Sequence, residues 1–280
     1  MIKVRQVLLC SAVPFFFLAA SCVRENSSRK QDIHVQQMSG FPNQEFGYEL
    51  GVSACYAGII GNKLVMAGGC NFAGKSAAEG GPKYFYKGIY TAEITEDSVL
   101  VWKQVGELPS PVAYGVSISR SGEMILIGGN NADGGLTSVF RLKLAEDGGA
   151  ILDTLPSLPL ALDNMSGAAS GNTIYVAGGN RNGSPSTSML SLNLNEPELG
   201  WKEEVPFPGA ARVQPVCAVQ DGMLYLWGGF CPSQNGGEAS VATDGYRYLP
   251  LQERWEPVPA PAVAETGEPL TLTGGTSCVW

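Results

Sequence analysis

Histidine is nearly missing from this chain. Its 280 residues include one, His34, so no histidine cluster for zinc or copper can be assembled. Positive charge is also scarce, with 18 Lys and Arg against 26 Asp and Glu and a net charge of −8. Nucleic-acid binding rests on basic contacts to phosphate, so that deficit argues against a nucleic-acid partner. Long apolar runs are absent too: Val7 to Ala20 is mostly apolar but falls short of the ~20 residues a spanning helix needs. The seven cysteines are irregularly spaced and include no C-x-x-C pair of the metal-binding kind.

What is present at the N-terminus reads as an export signal. Lys3 and Arg5 precede the apolar run, which ends in Ala19-Ala20-Ser21 directly before Cys22. That order predicts a removable signal peptide over residues 1–21. A cysteine directly after the small residues resembles the lipobox of bacterial lipoproteins, which implies lipidation of Cys22 and attachment to a lipid bilayer. The expected location is then the periplasm or cell envelope. Residues 22–45 are polar and charged and read as a flexible tether. Without Lys3 and Arg5, 16 basic residues face 26 acidic ones, a net charge of −10. Cys55, Cys70, Cys217, Cys231 and Cys278 remain, an odd number, and read as small buried strand residues rather than disulfide partners.

The rest of the chain is repetitive. Lys63–Gly69, Met124–Gly129, Thr173–Gly179 and Met223–Gly229 are each a short apolar run ended by Gly-Gly, at steps of 60, 50 and 50 residues. Runs this short and this rich in β-formers predict buried strands. A tight polar turn precedes each one: Gly61-Asn62, Ser121-Gly122, Gly171-Asn172 and Asp221-Gly222, residues that tolerate positive φ. Third strands are expected at 88–94, 138–144, 188–194 and 245–251. Closing strands are expected around Trp102, Trp201 and Trp255, with Ile151-Leu152 at that place in the second repeat.

Four antiparallel strands per unit, with Gly-Gly and a late Trp, resemble the kelch motif. The predicted fold is all-β, a kelch-type β-propeller over residues 46–280, because such sheets bury both faces only by stacking radially. Residues 47–109, 111–159, 162–208 and 210–259 supply four complete four-stranded blades. Glu268 to Trp280 reads as the first strand of a fifth, so the sequence reads as an incomplete propeller.

Three loops carry a closer resemblance: Ala67–Phe72 with its long loop to Lys87, Ala113–Ser117 leading to Gly129, and Pro208–Gln214 leading to Gly229. Together they are similar to the N-acetylneuraminate epimerases (sialic acid mutarotases), in the cyclically permuted branch. That resemblance implies a six-bladed propeller interconverting the α and β anomers of N-acetylneuraminate, with sialic acid as partner and no metal or redox cofactor. The activity would be that of an isomerase. Opening the sugar ring needs a base for the anomeric hydroxyl and an acid for the ring oxygen. The resemblance places a catalytic Glu directly after a later blade's Gly-Gly, with an Arg a few residues on. Here the residues after Gly-Gly are Cys70, Asn130, Asn180 and Phe230, so the catalytic residues stay unassigned and an inactive polypeptide is one expectation. A non-catalytic glycan-binding or scaffold propeller is the alternative.

Candidate substrate-binding residues lie in the loops. Arg212 and Gln214 precede a first strand on one face and could take a carboxylate or hydroxyl; Arg212 could equally bridge two blades. Asn71, Asn130, Asn131 and Asn180 follow Gly-Gly and suit either sugar hydroxyls or turn capping. Lys83 and Lys87 flank three aromatics in the long first loop, as a sugar-stacking lid or a solvated loop. Tyr114 fits pocket lining or core packing. Asp163, Glu79 and Glu268 are the acids nearest the loop tips.

Overall fold

The computed structural model describes residues 40–93, 99–233, 237–264 and 266–275. The leader over 1–21, Cys22, most of the tether, Ile94 and Cys278 fall outside these residues. Four four-stranded antiparallel sheets, each in the order first-second-third-fourth, form the blades of the propeller. Blade 1 comprises Tyr56–Ile60, Lys63–Ala67, Gly88–Glu93 and Lys103–Glu107. Blade 2 comprises Val116–Arg120, Glu123–Ile127, Val139–Leu144 and Ala150–Thr154. Blade 3 comprises Ser166–Ser170, Thr173–Ala177, Met189–Asn193 and Lys202–Glu204. Blade 4 comprises Val216–Gln220, Met223–Trp227, Gly245–Leu249 and Arg254–Val258.

Strand ends differ from the sequence reading in physically transparent ways. The third strand of blade 4 stops at Leu249 because Pro250 opens a 3-10 turn to Gln252 and brings no N–H to the ladder. Trp102 and Trp201 stand just before their closing strands, whereas Trp255 lies inside its own. Trp201 Nε1 donates to Pro156 O at 2.8 Å and Trp255 Nε1 to Val205 O at 2.8 Å, so each indole is tied to the blade before it. Trp102 Nε1 is buried and has no acceptor among the described residues.

Alternation along each second strand builds the core. Val65 and Ala67 of blade 1 pack with Met124, Leu126 and Leu142 of blade 2. Ile125 and Ile127, one residue out of phase with Met124 and Leu126, turn the other way to meet Ile174, Val176, Leu190 and Leu192 of blade 3. Tyr175, Ala177 and Met189 in turn meet Leu224, Leu226 and Tyr248 of blade 4. Cys70 and Cys217 are buried, Cys55 and Cys231 half-buried, and no disulfide joins these four.

Short lead-in segments join successive blades near their first strands. The second glycine of each pair donates to the next lead-in: Gly69 to Val112 O, Gly129 to Leu162 O, Gly179 to Arg212 O and Gly229 to Leu272 O, at 2.7–2.8 Å. A side chain has no room there. A Cβ on Gly129 would lie 2.5 Å from Ala113 O, and its φ of +100° already disfavours other residues. The lead-ins also bond to one another. Tyr114 N donates to Ala54 O (2.9 Å), Asn164 N to Tyr114 O (2.8 Å), Gln214 N to Asn164 O (2.6 Å) and Gly274 N to Gln214 O (3.0 Å). All five residues hold left-handed φ values, from +52° to +63°.

This register corrects the reading of residues 268–275 as the beginning of a strand. Leu272 and Gly274 make the contacts that Leu162 and Asn164 make earlier, so the segment is a lead-in. The remainder of that expected strand, 276–280, lies outside the described residues. At the other end, residues 40–45, expected within the tether, pack on blade 1. Glu45 accepts from Gly88 N (3.0 Å) and Tyr90 Oη (2.7 Å), and Phe41 stacks on Tyr48 at 5.7 Å.

Arg212 is the largest fully buried side chain, 1 % exposed. Its guanidinium forks onto Asp244, donates to Ala210 O (2.8 Å) and Gly228 O (3.1 Å), and lies over Phe207. These hydrogen bonds from Arg212 hold the Asp244 carboxyl below its ordinary range. The pair therefore stabilises the fold above about pH 4 and loses that contribution as the pH falls through the lowered value.

Two stability predictions follow from these contacts. Tyr56→Phe removes the buried hydroxyl that donates to Gly128 O across blades at 2.5 Å, and denaturant unfolding should show a loss of about 1–2 kcal/mol. Arg212→Met should cost about 1–3 kcal/mol, because the charge-assisted hydrogen bonds to Asp244 are lost while the half-exposed carboxylate keeps only Tyr246 Oη. In a stability–pH series its acid limb should also be flatter than that of the wild type, and an unchanged limb would contradict the assignment.

Candidate functional site

After each Gly-Gly the chain makes a small two-stranded ribbon at the lead-in end of its blade. The first arms are Cys70–Asn71, Asn130–Asn131, Asn180–Arg181 and Phe230–Cys231. Bridges tie each arm to a lead-in: Ser53 to Cys70, Ala113 to Asn130, Asp163 to Asn180 and Val213 to Phe230. Ribbons and lead-ins together surround a depression of about 710 Å³ spanning blades 1 to 3. The long first loop contributes Lys83 and Phe85, and the ribbons contribute Asn130, Asn131, Asn180 and Asn182. The lead-ins contribute Tyr114, Asp163 and Asn164.

Lys83 is the cation of this depression. Its Nζ donates to Tyr114 Oη at 2.9 Å and sits 4.9 Å from the Tyr114 ring centre and 5.6 Å from that of Phe72. The hydrogen bond to Tyr114 raises its pKa, so it stays an ammonium at neutral pH. Burial raises the Tyr114 phenol, which likewise stays protonated. Among the described residues no carboxylate pairs with Lys83, whereas Lys87 in the same loop is bridged to Glu107 at 2.6 Å.

A chain of side-chain amides crosses the floor. Gln214 Nε2 donates to Asn164 Oδ1 (2.8 Å), and Asn164 Nδ2 donates to Asp163 Oδ1 (2.6 Å). Asn180 Nδ2 donates to the same Asp163 oxygen (2.8 Å). Asp163 is 7 % exposed. Cation, phenol, amides and carboxylate thus offer both donors and acceptors for a polar, anionic small molecule.

The structure gathers some of the candidates and separates others. Lys83, Tyr114, Asn130, Asn131 and Asn180 line the depression, although Asn131 spends Nδ2 on Pro111 O and accepts from Asp133 N. Gln214 reaches it through Asn164. Asn71 is consumed elsewhere, donating to Gly47 O and Gly51 O and accepting from Tyr86 Oη. Arg212 points into its own blade and bridges to Asp244 there, not to a neighbouring blade as the sequence left open. Glu79 closes a capping box with Ser76, whose hydrogen bonds lower its pKa. Glu268 lies exposed in the last lead-in.

Asn164 escaped the sequence reading. The signal that finds it is the register of lead-ins: positions 54, 114, 164, 214 and 274 are equivalent, and two of them, Tyr114 and Gln214, were already candidates.

The profile of the N-acetylneuraminate epimerase family matches residues 18–151 and 155–279. Among curated relatives, the N-acetylneuraminate epimerase of Haemophilus influenzae (strain PittEE) is 37% identical over 123 residues, covering 44% of this chain and 30% of that protein. That of Pasteurella multocida (strain Pm70) is 33% identical over 141 residues, 50% of this chain and 36% of its own length. That of Vibrio vulnificus (strain YJ016) is 40% identical over 87 residues, 30% of this chain and 23% of its own. The chain thus aligns with about a third or less of the length of these relatives. With two match segments that together run almost from end to end, four kelch blades and a polar depression at their lead-in end, the chain belongs to the N-acetylneuraminate epimerase family.

Proposed function

We propose that this chain forms the substrate-holding part of a protein that interconverts the α and β anomers of N-acetylneuraminate. The observation that carries the reading is Lys83, a cation without an acidic partner among the described residues, set in a depression whose other polar groups are amides, a phenol and the Asp163 carboxylate. N-acetylneuraminate bears a carboxylate on its anomeric carbon and hydroxyl and acetamide groups around the ring. An ammonium suits the first and asparagine amides suit the rest. Family membership supports the same substrate class.

Exchange of anomers also needs a base for the anomeric hydroxyl and an acid for the ring oxygen. The position after Gly-Gly carries Cys70, Asn130, Asn180 or Phe230 in these four blades. The described residues are therefore assigned to holding the sugar, not to the family's Glu and Arg chemistry. The same observation favours a second reading, a sugar-binding propeller that does not accelerate exchange.

Exchange-resolved NMR on N-acetylneuraminate, with the protein made from its complete gene, separates the two. Accelerated α/β exchange is the expected result, with Lys83→Met weakening apparent affinity about tenfold. Saturable binding without acceleration would move the assignment to the second reading, and neither binding nor exchange would end both.

Attachment to the cell envelope through Cys22 is part of the proposal, supported by the small residues Ala19-Ala20-Ser21 directly before that cysteine. Metabolic labelling with a radioactive fatty acid should mark the wild type and not Cys22→Ala; equal labelling of the two would refute the anchor.

A further inference from the structure

Asp163 is the one buried acid among the described residues. Equivalent bridges in the other blades are closed by Ser53, Ala113 and Val213, so a small neutral or apolar side chain satisfies the same backbone geometry. Withdrawing a carboxylate from water is costly unless it is compensated. Here no Lys or Arg lies within ion-pairing distance among the described residues; the compensation comes from two amides alone.

Those amides act on one oxygen only. Oδ1 accepts from Asn164 Nδ2 and from Asn180 Nδ2, and Asn164 is itself fixed by Gln214 Nε2. Oδ2 has no hydrogen-bond partner among the described residues, and Asp163 lines the depression that holds Lys83. A carboxylate with one oxygen pinned by donors and the other left toward a polar cavity is a pre-set acceptor.

Resting on the reading that the depression holds a sugar acid, we infer that Asp163 is a specificity-determining residue. Oδ2 accepts a hydrogen bond from one hydroxyl of the bound sugar, on a different part of the ligand from the carboxylate that meets Lys83. Asn164 and Gln214 are positioning residues that aim it. A site built to accept from a hydroxyl discriminates strongly against a ligand lacking it, because the buried acceptor is then left unpaired.

The test uses the protein from its complete gene and N-acetylneuraminate as titrant, with affinity read by calorimetry and folding by thermal melt. Asp163→Asn keeps an oxygen for the two amides and turns a donor toward the cavity. Asp163→Ala installs the residue that blade 2 already carries at this place. Both should melt within a few degrees of the wild type and bind at least tenfold more weakly. Across monodeoxy analogues, the wild type should reject one by tenfold or more, and Asp163→Asn should lose that preference. Wild-type affinity in either folded variant, or a preference that survives the substitution, would overturn the inference and leave the substrate reading standing. No binding and no exchange by the wild type would remove both.

Discussion

Backbone hydrogen bonds between lead-ins hold the blades side by side, and nearly every other feature depends on them. Each needs a residue in the left-handed region two positions before a first strand, with its N–H turned to the preceding lead-in and its C=O to the next. Non-glycine residues seldom adopt that conformation, yet four of the five positions are Ala, Tyr, Asn and Gln. The strain is offset by a continuous line of satisfied backbone groups beside tightly packed glycines, where unpaired polar groups would be costly.

That line explains why Gly-Gly recurs. One glycine ends the second strand, and the other brings its N–H to a neighbouring lead-in at a separation no side chain would permit. The contact joins residues about 30 to 45 positions apart and two blades at once, so it sets the spacing at which the hydrophobic faces meet. Given that spacing, period-2 alternation does the rest: Ile125 and Ile127 serve one interface, Met124 and Leu126 the other.

The blades and their boundaries were legible in the sequence because turn chemistry, apolar runs and Gly-Gly repeat together. The site was legible only in part. Lys83, Tyr114 and the asparagines after Gly-Gly could be named from loop position, since loop position is what puts them there. Arg212 misled because an arginine before an inner strand looks free to reach a ligand; its partner Asp244 lies 32 residues on, beyond the reach of local spacing. Asn164 was hidden by ordinary loop composition. The segment from Glu268 follows the fourth unit, where a fifth blade's first strand is expected, whereas the backbone of Leu272 and Gly274 is committed to bonding with blade 4 and the preceding lead-in.

The five left-handed positions separate two demands that most protein sites combine. The fold constrains only their backbone, and Ala54, Tyr114, Asn164, Gln214 and Gly274 all comply with it. Their side chains are free of that backbone demand, and two of them, Tyr114 and Asn164, line one depression. A small alphabet written at those positions could re-address the propeller to other ligands without redesigning a single interface between blades.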